Sequence, residues 1–229
     1  MARSIFYKLI FLAAVTMLSC LPFPVLAVDE PPGEVIRAAD EGLAIFLKDK
    51  PAPARQYLGF EKREDVDSVV LGEGFPIYTI PPATFLKGDF SQSLQSLAVP
   101  TGLWQFLVVS GGVPKALLTV DLVNGVWTPV SIGSVGLARE IGALMETWAP
   151  SDGYRCRIFR VYQAKSDFAE LSKDGRVVGV VPFGSSVAAT GGTTQGGAVK
   201  RYSPTTILDA QDLLIGLRSA VVSNLQSDR

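Results

Sequence analysis

The sequence predicts an α+β domain: an antiparallel sheet made of a meander plus a hairpin, with helices packed on one face. Three observations predict it. Between residues 103 and 132 apolar-rich extended runs are punctuated by Gly111-Gly112 and Asn124-Gly125, the pattern of strands joined by tight turns. Two other stretches, 36–48 and 134–148, carry apolar residues at helical spacing instead. A further turn signal, Lys173-Asp174-Gly175, separates two extended runs nearer the C-terminus.

Taken in order, residues 1–27 read as a cleaved export signal. Arg3 and Lys8 precede an apolar run, and Val25-Leu26-Ala27 supplies a small-residue cleavage site. The expected product is exported, periplasmic or extracellular. Two competing readings leave the chain membrane-anchored. The uncharged stretch 9–28 approaches the length of a spanning helix, although Pro22 and Pro24 interrupt it. Cys20, preceded by Met17-Leu18-Ser19, stands where a lipid is attached in lipoproteins, with its leucine one position too close. Cleavage removes Arg3 and Lys8, which takes the formal net charge from −1 to −3 and implies no general attraction to nucleic acid or to an anionic membrane. It also leaves Cys156 as the single cysteine, so no internal disulfide is available. With 48% hydrophobic and 19% charged residues, the chain has the composition of a packed core and not of a disordered segment.

Residues 28–183 form the expected α+β domain, 184–203 a Gly-rich linker or loop, and 204–229 a C-terminal helix. In the first helix Ile36, Ala39, Leu43, Phe46 and Leu47 share a face, Arg37, Asp40, Glu41 and Lys48 fall elsewhere, and Pro51 and Pro53 stop it. Residues 55–67 are charged and read as a connection. The stretches 68–71 and 75–80 read as extended about a Gly72-Glu73-Gly74 turn, ended by Pro81-Pro82. Residues 103–109 are apolar on both faces apart from Gln105, as in a covered central strand. The next strand places Ala116, Leu118, Val120 and Leu122 on one face, and the strand after Asn124-Gly125 contains Pro129, which demands an edge or a bulge. Ser134 is placed to cap a helix carrying Leu137, Ile141, Leu144, Met145 and Trp148, ended by Ala149-Pro150. Strands follow at 154–163, 167–171 and 176–183. In the last helix Ser203 caps, Pro204 takes the first position, and Ile207, Leu214, Val221 with Leu208, Ile215, Val222 form an apolar stripe.

The chain has no histidine. Imidazole-activated serine and cysteine nucleophiles are therefore excluded, as are the ordinary zinc, haem and facial-triad iron sites. Asp65 and Asp67 lack the glycine and terminal glutamate of an EF-hand and read as a solvated turn. No metal or cofactor signature is present. Asp121, Asp167, Glu170 and Asp174 could supply a carboxylate pair for glycoside hydrolysis, but they read as surface residues. Arg155, Arg157 and Arg160 surround Cys156. Cations there would lower a thiol pKa, or hold an anionic peptide terminus or sugar carboxylate. Alternation with Tyr154 and Ile158 instead turns Cys156 into the core and leaves the arginines solvated. The 184–203 segment lacks the Lys-Ser/Thr end of a P-loop and reads as a tether. Were it a lid, Thr193, Thr194 and Gln195 would contact the ligand. The leading expectation is a non-catalytic domain that binds a protein or peptide partner through strand edges or the C-terminal helix. The alternatives are a small-ligand sensor or carrier, signalled by an apolar pocket between sheet and helix, and a histidine-independent carboxylate hydrolase.

Residues 71–80, Leu-Gly-Glu-Gly-Phe-Pro-Ile-Tyr-Thr-Ile, followed by the Trp104 strand and the Asn124-Gly125 hairpin, resemble uncharacterised exported bacterial proteins whose sheet starts with Leu-Gly-x-x-Phe/Tyr-x-x-Tyr. Their element order is similar to that of small PepSY-like or cystatin-like domains. The resemblance implies binding or inhibition of peptidases, or a propeptide role. It assigns no functional residue.

Overall fold

The computed structural model describes residues 30–48, 56, 58, 60, 66–184 and 203–227. Seven strands form one sheet in the order β4-β3-β2-β1-β5-β6-β7. They are β1 (Val70–Thr79), β2 (Val99–Ser110), β3 (Val113–Val123), β4 (Val126–Gly133), β5 (Tyr154–Val161), β6 (Ser166–Lys173) and β7 (Arg176–Pro182). The helices are α1 (Gly33–Leu43, continued by a π-turn Ala44–Lys48), α2 (Pro82–Lys87), α3 (Leu94–Leu97), α4 (Val135–Thr147) and α5 (Ala210–Ser227). The α+β class and the packing of helices on the sheet are as the sequence predicts.

The expected meander is β2-β3-β4, and β1 extends it by pairing antiparallel with β2. Asn124 and Gly125 adopt φ 52° and 80°, the two positive values that a two-residue hairpin turn requires. Pro129 lies on the edge strand, beside a register shift at Thr119/Val120, so both devices that tolerate a strand proline are used. The second hairpin, β6-β7, turns through Asp174 and Gly175 at φ 51° and 77°. The two halves meet at one short parallel contact, Ile77 beside Ile158 and Tyr78 beside Phe159. Strand periodicity does not predict it, because it joins segments some eighty residues apart through α4.

Alternation along the central strands assigns the helices to faces. Phe106 and Val108 of β2 pack with α1, while Leu107 between them packs with α4. Phe159 of β5 packs with α5, while Ile158 packs with α4. One face therefore carries α1 over β2–β4 and α5 over β5–β7, and the opposite face carries α4, so helices cover both faces of the sheet and not the single face expected. Glycines set two of the approaches. A Cβ at Gly42 would stand 2.7 Å from Pro129 Cβ, and one at Gly142 would stand 2.4 Å from Pro114 Cγ, so each helix rests a glycine on a strand proline.

Several local expectations are corrected. In α1 the buried residues are Val35, Ala38, Ala39 and Gly42, while Ile36 is 40% exposed; the wider π-turn then brings Leu47 back inside. Residues 70–79 form one strand, because both halves pair with β2 and the one extra residue at Gly72-Glu73 is absorbed as a register shift. Ser134 makes no side-chain cap: it sits at φ 55°, and only its carbonyl accepts from Ala138 N–H. The last helix begins at Ala210, and its cap is Asp209, whose carboxylate accepts from Gln211 and Asp212 N–H. Residues 203–208 instead form a strap across the β7 edge. Trp148 Nε1 donates to Pro204 O at 2.9 Å on the α4 side, and Ile207 packs on that side. Leu208 then pairs with Val180 by two backbone hydrogen bonds of 2.8 and 3.0 Å, and the chain enters α5 on the opposite face.

The buried residues of α5 are Leu213, Leu214, Leu217 and Val221, while Ile215 is 61% exposed. Three side chains tie α5 to main-chain carbonyls: Gln211 to Phe90, Arg218 to Phe85 and Asn224 to Gln163. The C-terminal helix thus docks on its own sheet.

Candidate functional site

The arginine row is divided by the strand on which it lies. Arg157 projects to the α5 face, on the side of Phe159, and Arg160 to the α4 face, on the side of Ile158. Each is opposite an acid on β6. Arg160 Nε donates to Asp167 Oδ1 at 2.7 Å, while Arg157 Nη1 lies 3.9 Å from Glu170 Oε2 and its guanidinium stands 4.9 Å over the Tyr78 ring. Arg155 is exposed. The three therefore do not converge on one anion. Cys156 is half-buried against the α4 cluster, and desolvation, with Glu73 adding repulsion, pushes its thiol up to about 11. It is a protonated packing residue at neutral pH. Thr193, Thr194 and Gln195 lie outside the described residues.

The carboxylates expected at the surface separate into distinct environments. Asp121 accepts from its neighbour Leu122 N–H, and Asp174 occupies the hairpin turn. Glu170 is corrected: only 3% of it is exposed, and its Oε1 has no hydrogen-bond partner. Burial raises its carboxyl above the ordinary glutamate range, and Arg157 pulls in the opposite direction. Asp167 and Glu170, three residues apart on a strand, face opposite sides of the sheet, so they do not flank a common bond. Among the described residues no group of three or more Cys, Asp or Glu side chains is arranged to hold a metal ion.

A concavity lies elsewhere, between the end of α1 with its π-turn and the entry to β1. It has a volume of about 440 Å³ and is lined, among the described residues, by Leu43, Leu47, Val66, Val69, Val70 and Leu71, with Asp40 as the one charged lining residue among them. Among the described residues two features build it. The π-turn Ala44–Lys48 follows Leu43 directly and carries Leu47, both of which pack with the sheet, and π-turns are frequent at functional sites. The turn at Val66–Asp67 supports the opposite wall, and Ser68 Oγ pairs with Ser110 Oγ at 3.0 Å to fix it to the end of β2. Sequence reading missed this cleft. A π-turn has no distinct periodicity, and the Val66, Val69 and Leu71 wall was divided between a charged connection and a strand.

Comparison with protein-family models, with curated proteins and with solved structures returns no match.

Proposed function

We propose that the protein is an exported, non-catalytic binding domain that engages a protein or peptide partner through the cleft between α1 and β1. The cleft is the observation that carries this reading. It is concave, with aliphatic side chains and, among the described residues, one carboxylate at its wall, which suits an apolar side chain carried by a peptide with a basic residue beside it. Asp67, immediately after the lining residue Val66, adds to the negative character of that side. The resemblance to PepSY-like and cystatin-like domains makes a peptidase a reasonable class of partner. The strand edges are less suited to the role: Pro129 removes a donor from the β4 edge, and Leu208 already occupies part of the β7 edge. A second reading, carriage of a small apolar ligand, rests on the same cleft, whose volume falls within the range of about 300–1,000 Å³ common to small-molecule sites.

In-cell photo-crosslinking tests the proposal. A photoreactive residue at position 43 or 70 should give a discrete protein adduct, and one at exposed position 215 on α5 should not. Adducts at 215 alone would move the binding surface to α5. A low-mass adduct at 43 and 70, seen by intact mass, would establish the small-ligand reading instead.

A further inference from the structure

Glu170 is the most anomalous polar group among the described residues. Native proteins give buried polar atoms a partner, and a carboxylate placed among apolar groups without donors is costly in proportion to its charge. Glu170 is 3% exposed, its Oε1 is unpartnered, and its nearest cation stands 3.9 Å away, beyond hydrogen-bond distance, with its guanidinium engaged over Tyr78. Its cross-strand neighbours are Arg157 on β5 and Val180 on β7. Val180 is also the residue whose main chain holds Leu208, immediately before the Asp209 cap of α5. The carboxyl group thus sits in the sheet row on which the entry to the C-terminal helix is fastened.

We propose that Glu170 is carried as the neutral acid in the folded protein, and that its ionisation loosens the strap at Leu208 and the first turns of α5. Among the described residues the charged groups around it are few. Arg157 of β5 is the opposing cation, and Tyr78 of β1 stands on its far side. From β7 the cross-strand neighbour is apolar. The buried face of α5 is Leu213, Leu214, Leu217 and Val221, while Asp209 is spent on the helix cap, Arg218 on the Phe85 and Leu86 carbonyls, and Asp212 is exposed. A carboxylate formed here gains solvation only by admitting water, and the point of entry nearest its row is the edge held by the single Val180–Leu208 bridge. Burial shifts the carboxyl upward, which agrees in direction.

The sign of the effect follows from linkage. The folded carboxyl titrates above its free value, about 4.3, so the docked state is favoured most below that pH and loses this advantage as pH rises through the folded midpoint. If opening exposes Glu170, the opening constant of α5 rises about tenfold per pH unit in that window and then levels off, because one proton is released.

The experiment combines a ¹³C-carboxyl NMR titration of the mature protein with pH-dependent hydrogen exchange of α5 amides. The Glu170→Gln variant assigns the resonance and serves as the exchange reference, which cancels the intrinsic pH dependence of exchange. The expected results are a Glu170 midpoint clearly above that of free glutamate and a wild-type to variant exchange ratio that climbs with pH to that midpoint. A midpoint at or below the ordinary value would overturn the proposal. So would a high midpoint with an α5 ratio that stays flat. Should Glu170→Gln not fold, Arg157→Met provides the second test: it should move the Glu170 midpoint further up, and an unmoved midpoint would overturn the proposal as well.

Discussion

Replacing Gly179 by alanine should detach the strap that leads into the C-terminal helix. Gly179 has φ 151°, a conformation that L residues rarely adopt, and a Cβ there would stand 2.4 Å from Ile207 Cγ2 and 2.8 Å from Leu208 O. The second contact is backbone, so rotating a side chain does not relieve it. If the strap stays, the variant bears backbone strain of about 1–3 kcal/mol plus the overlap. If the strap leaves, two hydrogen bonds worth about 0.5–1.5 kcal/mol each are lost. The packing of Ile207 and Leu208 on the two sheet faces goes with them. Either route costs at least about 2 kcal/mol. Urea denaturation measures the loss, and Trp148 fluorescence, read with Trp104 and Trp127 replaced by Phe, reports the strap locally, because its indole N–H donates to Pro204 O. Gly136→Ala serves as the control. It lies in the first turns of α4 with nothing within 4 Å of a new Cβ, and should stabilise by about 0.5–1 kcal/mol. A Gly179→Ala variant within about 0.5 kcal/mol of wild type, with unchanged Trp148 emission, would refute the strap argument.

Phe168→Ala should cost about 3–5 kcal/mol, since the ring is fully buried and stacks on Phe159 at 5.1 Å; a loss below about 1 kcal/mol in urea unfolding would contradict the packing described under α5. Cys156, with its thiol pushed up to about 11, should resist iodoacetamide at pH 8 in the folded protein and react once denatured, which peptide mass spectrometry resolves; rapid native alkylation would show a reactive thiolate. If residues 1–27 act as the export signal proposed for them, the intact mass of the protein recovered from cells should correspond to an N-terminus at Val28, whereas a lipid-bearing product starting at Cys20 would establish anchoring. Leu43→Asp, in the wall of the cleft, should abolish the partner adducts expected at position 70 while leaving Trp148 emission unchanged; retained adducts would place the contact elsewhere.

Much of the sheet was legible in the sequence because its information is local. Asn124-Gly125 and Lys173-Asp174-Gly175 permit the positive φ values that their turns need, and the alternation of Ala116, Leu118 and Val120 marks a buried strand face wherever that strand lies. Pro129 announced an edge or a bulge through the donor it lacks. The helix 134–148 was legible for the same reason, since Ile141 and Leu144 keep the 3.6-residue period whatever they pack against.

The chemistry of the candidate sites was decided by pairing across the sheet. Three arginines within six residues look like one cationic row, yet strand geometry sends Arg157 and Arg160 to opposite faces, and the β5–β6 register gives each its own acid. The same register buries Glu170, which sequence reading placed at the surface because carboxylates are rarely buried and nothing nearby in the chain marks this one as different. The cap of α5 moved from Ser203 to Asp209 because the β7 edge captures Leu208 in a bridge, a contact between residues 28 apart that outweighs a favourable local Ser-Pro start. The cleft joins the end of α1 to the start of β1, and its volume exists only once both are seated on the sheet. Local turn chemistry and periodicity, acting over a few residues, are written in the sequence itself. Register, the face a side chain occupies and the space left between elements depend on contacts distant in the chain, and those the tertiary structure alone decides.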